Sequence, residues 1–283
     1  MKFKIIHETT YQFSSQVFLE PQYLRLKPKP TPYSKLETFR LKFSPKPAGI
    51  SEQTDAEENC IHLCWFEGTH QDLSIRSESL IDVLENHNPF NFIVYPADYL
   101  VFPFQYSEPL QTLLSPTLGS HRLGKAVVQY AEAIRLSCDE KTVPFLIDLT
   151  KQIHEDFKAS PRHEGPPFEP EKTFDLKKGS CRDLAWLQIH ILRHFKIAAR
   201  FVSGYYYVQS ETPEYELHAW VEAFLPGAGW VGFDPSAGVV VGSSHIPVAT
   251  SAFPQQTMPL TGIFRGNAKS KLSSDLIIEP IKS

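Results

Sequence analysis

Cysteine is scarce in this chain of 283 residues, with four, and methionine scarcer, with two. So few cysteines in a chain this long do not make a disulfide scaffold, which predicts a reducing compartment. No lysine-arginine run marks a nucleic-acid or membrane-surface patch. The net charge is only −4, with both signs interspersed. No apolar stretch approaches the roughly 20 residues needed to cross a bilayer. The opening segment Met1-Lys2-Phe3-Lys4-Ile5-Ile6-His7-Glu8 has neither the apolar run nor the cleavage site of a secretory signal. The expectation is a cytoplasmic protein with neither nucleic acid nor membrane among its partners. Internal repeats and low-complexity tracts are also missing.

What is present is ordinary globular material, 42% hydrophobic and 21% charged, enough for one large domain or two modest ones. Residues 1–90 read as short antiparallel strands, because Lys2–Ile6, Phe39–Phe43 and Leu73–Ser77 alternate with period two between proline-rich or polar turns. Residues 91–123 carry Tyr95-Pro96 and Phe102-Pro103-Phe104 and are too apolar to stay solvated, so they read as a packed connector. From 124 to 283 the texture is first helical, over Lys125–Leu136, Val143–Phe157 and Cys181–Phe195. Strands then follow at Arg200–Val208, Glu216–Leu225 and Trp230–Phe233, and the rest is loop-rich apart from a candidate strand at Leu276–Ile278. The expected fold class is α+β.

Three motifs carry chemistry: Gly179-Ser180-Cys181-Arg182-Asp183, Leu217-His218-Ala219-Trp220-Val221-Glu222 and Gly232-Phe233-Asp234-Pro235. The first has the form of a capping box, with Ser180 as N-cap and Asp183 at the third helical position. Cys181 then opens a helix, where unsatisfied N–H groups and the positive end of the dipole lower a thiol from its usual pKa of roughly 8.5. Its N–H could serve as an oxyanion donor. Capping accounts for Asp183 without a chemical role.

The turn Pro226-Gly227-Ala228 joins two strand-like runs, so His218 and Asp234 should lie on antiparallel neighbours. Centring the turn near Pro226 places His218 opposite Asp234 and Trp220 opposite Gly232. Alternation puts them on one face, and a one-residue slip would undo this. Asp234 could then orient the imidazole of His218 while its other nitrogen faces Cys181, which gives a nucleophile, a base and an orienting carboxylate. Taken singly, each residue has a plain reading: a buried thiol, a satisfied histidine and a turn aspartate. The joint arrangement, in that order, favours a papain-like thiol enzyme.

Other residues give weaker signals. Cys60 and Cys64 lie four apart on a strand, about 13 Å, too far to share a zinc. His190 and His194 have a metal-binding helical spacing without a further ligand set. Trp220 and Tyr205-Tyr206-Tyr207 could shape a site or simply pack, and Glu222 reads as half of a salt bridge.

Over most of its length the chain resembles the bacterial transglutaminase-like superfamily. The resemblance rests on the three motifs together with Ile197-Ala198-Ala199-Arg200-Phe201-Val202-Ser203-Gly204-Tyr205 and Gly262-Ile263-Phe264-Arg265-Gly266. Tyr11, Leu24–Pro28 and Thr69–Leu73 look like the β-rich domain that precedes this core in one bacterial subgroup. The resemblance implies a papain-like core of helices on an antiparallel sheet. It also implies Cys181 as nucleophile, His218 as base and Asp234 as orienter, with no metal or organic cofactor required. Two departures are Lys196-Ile197-Ala198-Ala199, where relatives often carry Gly-Ile-Pro, and Thr250–Gln256, where relatives carry an acidic, arginine-containing stretch.

The expected function is cleavage of a peptide or protein amide through a Cys181 thioester. Hydrolysis is favoured because neither an acceptor-lysine site nor a calcium loop of the EF-hand kind is recognisable. Transfer of the acyl group to an amine, and a non-catalytic peptide-binding scaffold, are the alternatives.

Overall fold

A computed structural model describes residues 1–119, 122–162, 165–210 and 215–281. The N-terminal third forms β1 (Lys2–Leu19), β2 (Gln22–Leu24), β3 (Ser34–Ser44), β4 (Gly49–Thr54), β5 (Cys60–Trp65) and β6 (His70–Val83). Here β1 and β6 are long, not the short strands that the sequence suggested. Polar residues fill their middle inward positions, which hides the alternation: His7, Thr9, Ser77 and Ser79 are all buried. These are satisfied locally, since Tyr205 Oη lies 3.2 Å from His7 Nδ1 and Ser77 Oγ donates to the His7 carbonyl.

The middle of the chain supplies α1 (Glu108–Leu113), α2 (Ser115–Leu118), α3 (Lys125–Ser137), α4 (Thr142–Asp156), the short strand β7 (Lys158–Ala159), α5 (Pro170–Leu176), the short strand β8 (Lys178–Gly179) and α6 (Cys181–His194). The connector is packed as its aromatics require. Phe102, Phe104 and Tyr106 are buried in the same core as Leu149, Leu187 and Val221. After α6 come β9 (Ala199–Tyr206), β10 (His218–Leu225), β11 (Gly229–Asp234), β12 (Val239–Val240) and β13 (His245–Ser251), which form an antiparallel sheet in the order β12-β11-β10-β9-β13. Ala219, Val221, Ala223 and Leu225 of β10 are buried with Leu184, Leu187 and Ile191 of α6. His218, Trp220 and Glu222 therefore lie on the other face of the strand.

Two elements depart from expectation. The tail beyond Asp234 contains β13, in which every residue is buried. A strand covered on both faces shows no alternation, so its signal is weak in sequence. Further on, β14 (Leu260–Thr261), β15 (Phe264–Arg265) and β16 (Ser270–Ile281) leave the core and join the N-terminal sheets. β16 pairs along β1 from Lys2↔Ile281 to Phe13↔Ser270, covering an edge that β6 leaves open. The C-terminal residues grouped with 124–283 on sequence thus complete the first domain.

The N-terminal sheets also pack on the core. Phe3, Ile5, Ile81 and Val83 share a cluster with Tyr205, Ile246 and Val248. Beside it, the buried Asn59 side chain donates to the Thr250 carbonyl and accepts from the Thr250 N–H, both at 2.8 Å. β13 is thus held between the sheet of its own domain and the β-rich domain.

Candidate active site

Cys181 is placed by the way α6 begins. A parallel bridge between β7 and β8 brings Gly179 beside Ala159, and Ser180 follows as N-cap. Gly179 is required for space: a Cβ there would lie 2.8 Å from the Asp183 Cβ. The capping box forms as the sequence implied, with the Asp183 carboxylate accepting from Ser180 N–H at 2.8 Å and Ser180 Oγ–H at 2.7 Å. Asp183 also accepts from Phe168 N–H and from the Arg162 guanidinium at 2.6 Å. Burial opposes its charge, but the Phe168, Ser180 and Arg162 donors outweigh it and hold its pKa below the usual carboxylate value. Asp183 therefore caps the helix and ties down the proline-rich loop beside the half-buried Cys181.

The hairpin supplies the other two residues. Observed pairs are Glu222↔Gly232, Ala223↔Val231 and Phe224↔Trp230, with Gly227 and Gly229 at positive φ in the turn. The turn is thus centred at Gly227, and every partner is displaced by two residues from the expected register. An even displacement keeps each side chain on its face, so His218 and Asp234 still meet. His218 Nε2 lies 2.7 Å from Asp234 Oδ2, which leaves Nδ1 for the thiol. Burial alone would lower the histidine pKa. The Asp234 charge and hydrogen bond, aided by the hydrogen bond with Cys181, instead raise it from 6.5 to about 10. Asp234 is fully buried; burial disfavours its charge, but His218 and then His245 overcome this and push its pKa far down.

The other three thiols stand in different surroundings. Burial raises Cys60, and pushes Cys64 up to about 11. Cys138 is raised by burial and by its hydrogen bond to Asp148. His62 lies near Cys60 but pairs with the exposed Glu52, whereas the imidazole beside Cys181, His218, is paired with a fully buried aspartate.

Sequence reasoning missed the shell behind Asp234. Oδ1 accepts from Ser236 N–H at 2.9 Å, Ser236 Oγ–H at 2.7 Å and Ala237 N–H at 3.1 Å. Oδ2 accepts a second imidazole, His245 Nε2 at 3.1 Å. Tyr206 stacks on both rings, with centroids 5.1 Å from His218 and 4.3 Å from His245. The Ser236-Ala237 contacts follow from an aspartate turn and were recoverable from Asp234-Pro235-Ser236. His245 was not, because it arrives from the strand that showed no alternation. Trp220 is fully buried and packs edge-on to His245 at 5.2 Å. Tyr205 packs toward His7, and Glu222 pairs with Arg200 at 2.7 Å. His190 is buried within α6, its ring centroid 4.4 Å from that of Trp186.

Two groups of described residues have donor atoms close enough to share a cation: Glu52, Cys60 and His62, and His218, Asp234 and His245. In the first, the Lys27 ammonium already sits on both Glu52 oxygens at 2.8 and 2.9 Å. In the second, Asp234 Oδ2 is the common acceptor of two N–H groups.

A helix that presents a cysteine beside an antiparallel sheet carrying histidine and aspartate on adjacent strands defines a transglutaminase-like, papain-like fold. Residues 128–235 match the transglutaminase-like superfamily, and residues 3–82 match the bacterial transglutaminase-like N-terminal region. The chain belongs to that superfamily. An uncharacterized Mycobacterium tuberculosis protein is 25% identical over 287 residues, 96% of this chain and 90% of its own. An uncharacterized Mycobacterium leprae protein is 33% identical over 107 residues, 36% of this chain and 37% of its own. A solved structure from Cytophaga hutchinsonii, provisionally named a cysteine protease, superposes with a TM-score of 0.71 at 19% identity, covering 100% of this chain and 92% of its own.

Proposed function

We propose that the protein is a thiol-dependent acyl-transfer enzyme that cleaves a peptide or protein amide through a thioester on Cys181. One observation carries the reading: the His218 imidazole stands between the thiol that opens α6 and a fully buried Asp234. His218 takes the thiol proton, and the sulfur attacks the amide carbonyl to give a tetrahedral oxyanion. The N–H of Cys181, in the first helical turn, has no intrahelical acceptor and is available to that oxyanion. The protonated His218 then gives its proton to the leaving amine, and the carbonyl re-forms as the thioester. In the second half His218 deprotonates water, which displaces Cys181 and releases a carboxylate. Asp234 fixes the imidazole tautomer and stabilises the imidazolium throughout.

The test is product analysis with a glutamine-containing peptide, with and without a primary amine, using the wild type and Cys181→Ala. Cleavage or deamidation by water alone, abolished in Cys181→Ala, is the expected result. Product formed only when amine is present would replace hydrolysis by transamidation. Product that persists in Cys181→Ala would overturn the thioester.

A further inference from the structure

We infer that His245 is a positioning residue of this site: its Nε2–H engages the Asp234 oxygen that also receives His218, and so sets how firmly Asp234 holds the His218 proton. This rests on the reading of Cys181, His218 and Asp234 as the reacting set.

The carboxylate is fully committed. Oδ1 takes three donors from Ser236 and Ala237, whereas Oδ2 takes two, the imidazoles at 2.7 and 3.1 Å. Two donors on one oxygen share its negative charge, so each weakens the pull on the other. His245 is 2% exposed, and its Nδ1 has no hydrogen-bond partner among the described residues. Burial lowers its pKa below 6.5, more than Asp234 restores, so the ring is neutral near pH 7 and carries one ring hydrogen. That hydrogen belongs on Nε2, the nitrogen that faces an acceptor.

The placement is built by several elements. Tyr206 of β9 lies opposite His245 in register and stacks on both rings, while Trp220 of β10 closes the edge. Gly204 sits opposite His218 and beside Pro247. A Cβ there would come within 2.6 Å of the Trp220 ring and 2.3 Å of the Ile246 carbonyl. The bare glycine lets β13 approach. The titratable groups facing the pair are Cys181 of α6, Tyr206 of β9 and Asp234 of β11. More distantly, Tyr33 lies at the His245 carbonyl and His154 of α4 at the Ser236 carbonyl.

Removing the His245 donor leaves His218 alone on Oδ2. The carboxylate becomes more basic, the His218 proton is held more tightly, and His218 becomes a stronger base but a poorer proton donor to the leaving amine. The experiment is NMR of the full chain with 15N-labelled histidine, following the His218 and His245 ring nitrogens against pH, with the Cys181 alkylation rate measured in parallel. His245→Phe keeps a ring to stack on Tyr206 and removes the N–H; His245→Gln keeps an N–H.

The wild type should show His245 as the neutral Nε2–H tautomer. His245→Phe should move the His218 midpoint up by about one pH unit, with the alkaline limb of Cys181 alkylation following, and His245→Gln should return both toward wild type. An unchanged His218 midpoint in His245→Phe, or a wild-type His245 protonated on Nδ1, overturns the inference. Should His245→Phe fail to fold, the wild-type tautomer decides alone. A wild-type His218 that titrates near 6.5 with an unactivated Cys181 overturns the reacting set itself, a separate failure visible before any His245 variant is made.

Discussion

At the residue scale, the site is a competition for protons around one buried carboxylate. His218 has its pKa raised from 6.5 to about 10, so the stability it contributes is fully present below about pH 6.5 and is lost as pH rises toward 10. Asp234 has its pKa lowered from 3.8, so its contribution is present above that value and is lost as pH falls through the depressed one. The pair stabilises the fold most between these limits. In Asp234→Asn the imidazole loses its ionic partner and should titrate lower. Urea unfolding across pH should then show a deficit against wild type that is largest near pH 5–6 and shrinks toward pH 10. Asp183 acts differently, as cap and loop anchor. Asp183→Ala should cost about 1–3 kcal/mol in urea unfolding, because it strips acceptors from Ser180, Phe168 and Arg162. One of these roles, the Ser180-Asp183 cap, was legible because it depends only on neighbours in sequence.

At the scale of elements, what could be read depended on periodicity. The amphipathic stripe of α6 and the alternation of β10 and β11 located helix and hairpin. The centre of the turn was displaced because Pro226-Gly227-Ala228 permits more than one centring, and only the positive φ at Gly227 and Gly229 resolves it. Parity rescued the site, since a displacement by two keeps every side chain on its face. β13 was illegible for the opposite reason: buried on both faces, it shows no pattern, and His245 was lost with it. Gly204 of β9 lies opposite both His218 of β10 and Pro247 of β13, with no room for a Cβ. Gly204→Ala should destabilise the fold by about 1–3 kcal/mol through overpacking. It should also displace Trp220 and His245, which would show as perturbed His245 ring resonances and slower Cys181 alkylation.

At the scale of the whole molecule, the β-rich domain and the core are joined through β13. The N-terminal sheets contribute Asn59 to the Thr250 backbone and a shared apolar cluster around Ile246, and the chain returns through β16 to close the edge of β1. Sequence placed these segments in separate regions because pairing across some 270 residues leaves no local trace. The strand that delivers His245 to Asp234 is thus supported by the β-rich domain. Asn59→Ala leaves the buried Thr250 N–H and carbonyl unpaired, which should cost about 1–3 kcal/mol. Hydrogen exchange at the Thr250 amide should quicken, with exchange at β10 and β11 less affected.

The central claim is an activated thiol, and the most direct test is the pH dependence of Cys181 alkylation, resolved by site with mass spectrometry, in wild type and His218→Ala. The account predicts rapid modification of Cys181 near about pH 6 in the wild type, lost in the variant, while Cys60, Cys64 and Cys138 stay slow in both. A slow Cys181 reaction that rises only at the pH of an ordinary thiol, and is the same in His218→Ala, would contradict it.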